Sequence, residues 1–393
     1  MSNVVVSLSA RTDVGRQRAG NEDSFLVSDL TGADSGLDSG ETQHTIGERG
    51  SLLVVSDGMG GAAAGEIASE MAVTTVRDAL VDLPLDLEVS DRLILAAQSA
   101  NGKIWSHAQQ NPELTGMGAT LTAVLVQDNE AYIAQVGDSR AYLIRRQEIK
   151  QLTKDQSLVQ LLIEAKMIEP ENSSRVPQNV IMQALGTQPE VRVTVTSVQL
   201  SSQDGLLLCS DGLSNKVTEN EMLETVRGAS DLGQACTRLV DMANERGGED
   251  NITVIIARFD GDALTAGESI DGSVRAVNED FFSEEAMSAI GSQMSAATTS
   301  PSSAGAVDST GAQENEGASP GATTDRDLPE AESQEPVDES ESRSSRSRRM
   351  DYNSILIAVL ISLLLIAVLV YFFYVYYMKQ PAEPIPADTA SMV

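Results

Sequence analysis

Two apolar runs in this chain end on the same dipeptide. Leu52-Leu53-Val54-Val55-Ser56 leads into Asp57-Gly58, and Leu206-Leu207-Leu208-Cys209-Ser210 leads into Asp211-Gly212. Short continuous apolar stretches bounded by turn residues read as strands buried on both faces. A third acid, Asp250, stands just before the apolar run Ile252-Thr253-Val254-Ile255-Ile256. One Asp-Gly after a strand is ordinary turn chemistry, since Gly accepts positive φ and Asp bonds its own backbone; Glu249-Asp250-Asn251 alone reads the same way. Three buried strands with carboxylates at their ends constrain the chain further. Gathered along one sheet edge, these acids repel unless a hard cation sits between them. Oxygen ligands without His or Cys favour Mg²⁺ or Mn²⁺ over zinc or copper.

Around these acids the sequence predicts strands over 3–10, 23–29, 52–56, 120–126, 132–136, 141–144, 192–200, 206–210 and 252–258. Ile67, Ala68, Met71, Ala72, Thr75, Val76, Ala79 and Leu80 recur at helical spacing, and a second helix carries Leu93, Ala97, Ile104, Trp105 and Ala108 on its inner face, with Trp105 read as core. Later helices are expected over 157–168, 219–226 and 231–245, and 28–50 reads as a Gly- and Asp-rich loop. Strands in hairpin-joined runs with helices in pairs argue for an α+β fold with antiparallel sheets rather than alternating βαβ units.

Several further motifs occur in order: Arg11-Thr12-Asp13-Val14-Gly15-Arg16-Gln17-Arg18-Ala19-Gly20-Asn21-Glu22-Asp23-Ser24, Ser56-Asp57-Gly58-Met59-Gly60-Gly61, Gly116-Met117-Gly118-Ala119-Thr120, Val136-Gly137-Asp138-Ser139-Arg140, Ala184-Leu185-Gly186, and the segments around Asp211 and Asp250. Over 5–259 this series closely resembles the PP2C (PPM) family of metal-dependent protein serine/threonine phosphatases, in its bacterial form. The resemblance implies a four-layer αββα sandwich, two packed antiparallel sheets flanked by helices. It also implies a protein phosphatase in which metal-activated water attacks phosphoserine or phosphothreonine in line, without a phosphoenzyme. The implied cofactors are two Mg²⁺ or Mn²⁺ ions, with a third at a weaker site. Asp57 bridges two ions, the carbonyl of Gly58 joins one, Asp211 and Asp250 hold the other, and Asp138 serves the third. Glu22 and Asp23 match positions that act on the metal's water, and Arg18 matches the arginine that grips the substrate phosphate, with Arg16 as the alternative. Met59 stands where many eukaryotic members carry a histidine that protonates the leaving alkoxide. The segment 152–185 resembles the mobile flap that borders the active site in bacterial members. The implied partners are phosphoserine and phosphothreonine proteins and a cognate serine/threonine kinase. The reading from a different class is an inactive phosphoprotein-binding scaffold.

Gly58-Met59-Gly60-Gly61-Ala62-Ala63 also fits a dinucleotide fingerprint with Asp78 about 20 residues on. Asp57 would then face a pyrophosphate with no cation between them, and Asp78 falls inside a helical pattern. His44, in the expected loop, and His107, on a helix, lack a nucleophile or ligand neighbour, so a histidine-dependent hydrolase has no support. A formal charge of −31 disfavours nucleic acid as a ligand. Cys209 and Cys236 form no C-x-x-C pair and read as reduced thiols of a cytoplasmic domain. Met1 to Ala10 carries no secretory signal pattern.

After Phe259 the composition changes. The phosphatase domain is expected over 1–260, followed over 261–353 by an acidic, Ser/Gly/Ala-rich disordered linker that cannot bury enough surface to offset its ordering entropy. The linker ends in the basic cluster Arg343-Ser344-Ser345-Arg346-Ser347-Arg348-Arg349. The uncharged run 354–378 that follows is long enough for one transmembrane helix, with aromatics crowding its far end and 379–393 as a short extracytoplasmic tail. Arginines before the run and a lone Lys379 after it place the catalytic domain in the cytoplasm, attached to membrane lipid by a single pass.

Overall fold

The computed structural model describes residues 3–32, 42–267, 269–278 and 281–282. The chain opens with strands β1 (Val5–Asp13), β2 (Asp23–Asp29), β3 (Thr42–Thr45) and β4 (Ser51–Met59), then helices α1 (Ala62–Asp82) and α2 (Val89–Gln110). A meander follows: β5 (Gly118–Ala119), β6 (Leu121–Gln127), β7 (Glu130–Val136), β8 (Arg140–Arg145) and β9 (Glu148–Gln151). Helix α3 (Leu158–Glu164) precedes β10 (Thr194–Gln199) and β11 (Gly205–Cys209). The described part closes with α4 (Asp211–Ser214), α5 (Glu219–Gly228), α6 (Leu232–Glu245), β12 (Ile252–Asp260) and β13 (Val274–Ala276).

Alternation of side chains sorts these strands into layers. In β4, Leu53 and Val55 face a core shared with Leu206, Leu208 and Ile255 of the other sheet, while Leu52 and Val54 face Ala68, Ala72 and Ile104 of the α1–α2 pair. In β11, Leu207 and Cys209 turn the opposite way, towards Met222 and Leu239 of α5 and α6. Both faces of each central strand are therefore covered, which explains why these runs are apolar without a break. The first sheet has the order β3-β1-β12-β11-β8-β9 and the second β13-β10-β7-β6-β4-β2, with β5 against the end of β4. Neighbouring strands pair antiparallel. This is the expected α+β sandwich, and antiparallel neighbours on both sides of β4 rule out the parallel sheet of a dinucleotide fold.

Helix ends follow local chemistry. Thr218 and Glu221 form a reciprocal capping box at the start of α5, and the Asp231 side chain accepts from the Gln234 amide at the start of α6.

The structure departs from expectation in four places. Trp105 is half-exposed on α2 rather than core, because the turn that carries Ile104 inward leaves the next position at the helix margin. His44 lies on β3 and not in a loop, and its Nε2 is 3.1 Å from Ser51 Oγ. The short edge strand β9 was not read from sequence. The folded part also runs past the expected boundary at residue 260. Val274–Ala276 adds an edge strand to β10, Asn278 bonds Val195 N and Val193 O at 2.7 Å each, and Leu264, Ile270 and Phe282 are buried. Arg145 fixes this strap from within: it donates to the Ser269 carbonyl at 2.7 Å while its other nitrogens reach both oxygens of buried Asp204 at 2.9 and 2.7 Å. Three apolar anchors in a polar stretch were too sparse to signal a folded segment. The polypeptide divides into units Met1–Met287 and Ser288–Val393, and the described residues belong to the first. The remainder of the expected linker, the run 354–378 and the tail 379–393 lie outside the described residues. Among the described residues no helix is long and apolar enough to cross a membrane.

Candidate active site

One end of the sandwich collects the acids that the sequence singled out. Asp57 stands near the end of β4 and Asp23 opposite it at the start of β2, paired in register. Asp138 occupies the β7–β8 turn, Asp211 begins α4 directly after β11, and Asp250 precedes β12. They are close enough that Asp23, Asp211, Asp250 and Asp138 all raise the pKa of Asp57.

The backbone here is fixed tightly. The Asp57 amide donates to Thr120 Oγ1 at 2.8 Å, the Thr120 amide returns to the Asp57 carbonyl at 2.8 Å, and the Gly58 amide donates to the Glu22 carbonyl at 3.0 Å. A Cβ at Gly58 would lie 2.1 Å from the Gly65 carbonyl oxygen, so only glycine lets α1 approach β4 this closely. Asn251 ties three segments together: Oδ1 accepts from the Glu22 amide at 2.7 Å, and Nδ2 donates to the carbonyls of Val14 and Gly20 at 2.9 and 3.0 Å. Thr120 and Asn251 were given no role from sequence. Their part lies in contacts between distant segments, which spacing alone does not show.

Burial dominates the electrostatics. Asp57 keeps an opening to solvent but is otherwise packed round by protein, and desolvation, followed by repulsion from its acidic neighbours, pushes its pKa well above the usual carboxylate range. Asp23 is raised to about 7 by burial, although its Oδ2 accepts from Ser210 Oγ and Thr253 Oγ1 at 2.7 Å each. Burial likewise raises Asp138 to about 7, and Asp211 to about 6 even though Asp211 is hydrogen-bonded to Asp57. Glu22 is raised by burial against the pull of Arg18. Arg18 Nη2 donates to Asp250 Oδ2 at 2.8 Å and its Nη1 is 3.9 Å from Glu22 Oε1. Partial burial works against its charge, but Asp250, Glu22 and Asp57 outweigh that and raise its pKa. Arg16 is exposed, and its amide donates to the Gly248 carbonyl at 2.7 Å; Arg18 is the arginine that faces the cluster.

The acids outnumber the cations at this end, and two carboxylate oxygens, Asp23 Oδ1 and Asp211 Oδ1, are buried without a hydrogen-bond partner. Unpartnered buried carboxylate oxygen is costly, so the donor set fits a hard divalent cation. Among the described residues no group of three His, Cys, Asp or Glu is already arranged as a ligand set. Asp250 is turned to the Arg18 guanidinium, and Asp211 lies against Asp57. A cation would have to draw Asp250 away from Arg18.

Beside the acids lies a polar cavity of about 220 Å³ bordered by Asp138, Asp155, Ser157, Gln160, Ser173 and Asn215. Its outer wall is α3 and the following 3₁₀ turn Pro170–Arg175, the segment read as a flap. The base of that segment is held by Arg140, whose Nε is 3.0 Å from both oxygens of Asp155 and whose Nη2 is 2.7 Å from Oδ2. This pair was also unassigned from sequence.

The profile of a family described as "Protein phosphatase 2C" matches residues 38–253. The serine/threonine phosphatase stp of Listeria monocytogenes is 37% identical over 254 residues, covering 64% of this chain and 94% of that protein. The crystal structure of the Mycobacterium tuberculosis serine/threonine phosphatase PstP/Ppp aligns with a TM-score of 0.56 at 35% identity, over 66% of this chain and 99% of that one. The catalytic domain of PstP in complex with two manganese ions aligns with a TM-score of 0.55 at 35% identity, over 65% and 99% of the two chains.

Proposed function

The chain belongs to the protein phosphatase 2C family and is a metal-dependent serine/threonine phosphatase, and from that premise we propose that it hydrolyses phosphoserine and phosphothreonine on cytoplasmic signalling proteins by direct attack of water. The observation that carries this reading is the convergence of Asp23, Asp57, Asp138, Asp211 and Asp250, two of them with a buried unpartnered oxygen, beside the guanidinium of Arg18. In this reading Asp57 and the Gly58 carbonyl, with Asp211 and Asp250, hold two ions, and Asp138 serves a third. Bound Mg²⁺ or Mn²⁺ supplies neutralisation of phosphoryl charge and makes water acidic enough to react near neutral pH.

The protein's own groups do the rest. Arg18 exchanges Asp250 for two phosphoryl oxygens, a geometry that suits a planar guanidinium better than a lysine. Hydroxyls from Ser210 and Thr253 occupy Asp23 Oδ2, which leaves Oδ1 as the atom that accepts a proton from the attacking water. The hydroxyls and thiol next to Asp57 and Asp211 in sequence are poorly placed as covalent nucleophiles: Ser56 and Ser210 are buried and donate within the fold, and burial pushes the Cys209 thiol up to about 12. Met59 has no proton to give, which leaves protonation of the leaving alkoxide to water, from solvent or held at the metal site. The test is phosphate release from a phosphothreonine peptide with Mn²⁺, stopped by a chelator and lost in Asp57→Asn. Turnover that survives chelation sinks the mechanism, and metal binding without turnover favours a phosphoprotein-binding scaffold.

We also propose that the uncharged run 354–378 anchors the enzyme in the cell membrane with residues 1–353 on the cytoplasmic side, near the proteins phosphorylated by a cognate kinase. Support comes from run length and the arginines before it. Recovery of the intact protein in the salt-washed soluble fraction of cells would contradict this.

A further inference from the structure

The strands that lead to Asp138, Asp211 and Asp250 carry arginines or an open floor at their other ends. Strand β8 runs from the Asp138 turn to Arg145 and Arg146, β11 from Gly205 to the residue before Ser210-Asp211, and β12 from just after Asp250 to Arg258. At about 3.3 Å per residue the two ends stand on the order of 20 Å apart. At the far end a cavity of about 500 Å³ opens between Arg146, Arg258, Gln203 and Arg227 at the end of α5. These three arginines are exposed, and none makes an ion pair or side-chain hydrogen bond among the described residues. Of the acids here, Asp204 gives both oxygens to Arg145, and Asp260 accepts from Ser202 Oγ and Gln203 Nε2 at 3.1 and 2.7 Å. Three guanidiniums around one cavity, without an ion pair among the described residues, contrast with a chain of formal charge −31.

A second observation concerns the cavity floor. Gly205 sits between Arg258 and Ile144 in one cross-strand row. A Cβ there would meet nothing closer than Ile144 Cβ at 3.4 Å, an ordinary contact. Packing does not require glycine at this position, and its bareness is what leaves the floor open between the arginines. Forked guanidiniums match phosphoryl oxygens two at a time, and several together suit a dianion better than a single carboxylate does. Among the described residues the one acid that lines the cavity is Asp204, whose oxygens are taken up by Arg145, so the lining offers guanidiniums for binding.

We propose that this cavity is a second, non-hydrolytic site for a phosphoserine or phosphothreonine side chain, so that a substrate phosphorylated at two places is held by one phosphate while the other reaches the acid cluster. The proposal rests on reading that cluster as the phosphatase site. The separation requires more than about six extended residues between the two phosphates.

The full chain is assayed with Mn²⁺ on a peptide bearing two phosphothreonines ten residues apart and on its singly phosphorylated counterpart. The doubly phosphorylated peptide is expected to show a KM lower by about tenfold. In Arg227→Ser/Arg258→Ser that advantage disappears while p-nitrophenyl phosphate turnover stays unchanged. Gly205→Leu, which fills the floor, abolishes it as well. Equal KM values for the two peptides in the wild type, or an advantage that survives in the arginine double variant, overturn the proposal. Binding of the labelled doubly phosphorylated peptide in chelator, read by anisotropy, is expected to weaken about tenfold in the same double variant. That arm reads the cavity even if no hydrolysis is found, so the two readings can fail separately. A peptide with glutamate in place of one phosphothreonine that binds equally well overturns the assignment to phosphate.

Discussion

Buried charge is handled in two opposite ways at the two ends of β8 and β11. At one end Arg145 and Asp204 are only 5% and 1% exposed, and they saturate each other: two guanidinium bonds to the carboxylate, further bonds from Arg145 to the carbonyls of Gln199 and Ser269, and the Ser201 amide at 2.7 Å on Asp204. At the other end Asp23, Asp57 and Asp211 crowd together with two buried oxygens left without a hydrogen-bond partner, and Arg18 is bonded to Asp250 beside them. A charge kept for architecture brings its partners with it, whereas a charge kept for chemistry leaves lone pairs for something that arrives later.

The largest expected difference between the ends is in turnover. Asp57→Asn should lower kcat with Mn²⁺ by roughly 10³-fold or more without loss of folded protein, as checked by phosphate release and circular dichroism. Arg145→Met should do the reverse, lowering stability by about 3–5 kcal/mol because Asp204 is left buried and unpaired, while activity per folded molecule is kept. Adding Asp204→Leu should restore much of that loss in urea unfolding; if the double variant is no better than the single one, the saturated pair is not what holds this end.

A pH series separates the ends next. Asp23 and Asp138 are raised to about 7 and Asp211 to about 6, against about 4 for an unfolded Asp. Between pH 4 and 7 the folded state therefore binds more protons than the unfolded state, and stability falls as pH rises through that window. The Tm of chelated protein should be higher at pH 5 than at pH 8, and saturating Mn²⁺ should flatten the difference by replacing the proton. A chelated protein that is most stable at pH 8 would break the contrast. The smallest effect is a control outside the acid cluster: Thr218→Ala, which removes the α5 cap, should cost about 1 kcal/mol and leave kcat unchanged.

Much of the acid end was legible because Asp57, Asp211 and Asp250 follow or precede a local pattern, an apolar run of strand length buried on both faces. The sandwich followed from the same runs together with the paired helical periodicities of α1 and α2. The saturated end was not legible. Arg145 and Asp204 are 59 positions apart, and neither residue differs locally from a surface charge. Asn251 stands within a motif, but its task, joining Val14, Gly20 and Glu22, depends on chain folding back over more than 200 positions. Trp105 misled because size suggested core, where one step of helical phase decided otherwise.

The strap that ends in β13 bears on how this protein can be shortened. Its three residue pairs cover the outer edge of β10, and it brings Ser269 to the buried arginine. Cutting after Asp260 would leave the β10 edge with bare amides and carbonyls, ready to recruit the same edge of another molecule. Such a fragment should self-associate on concentration, whereas one ending near Met287 should stay dispersed.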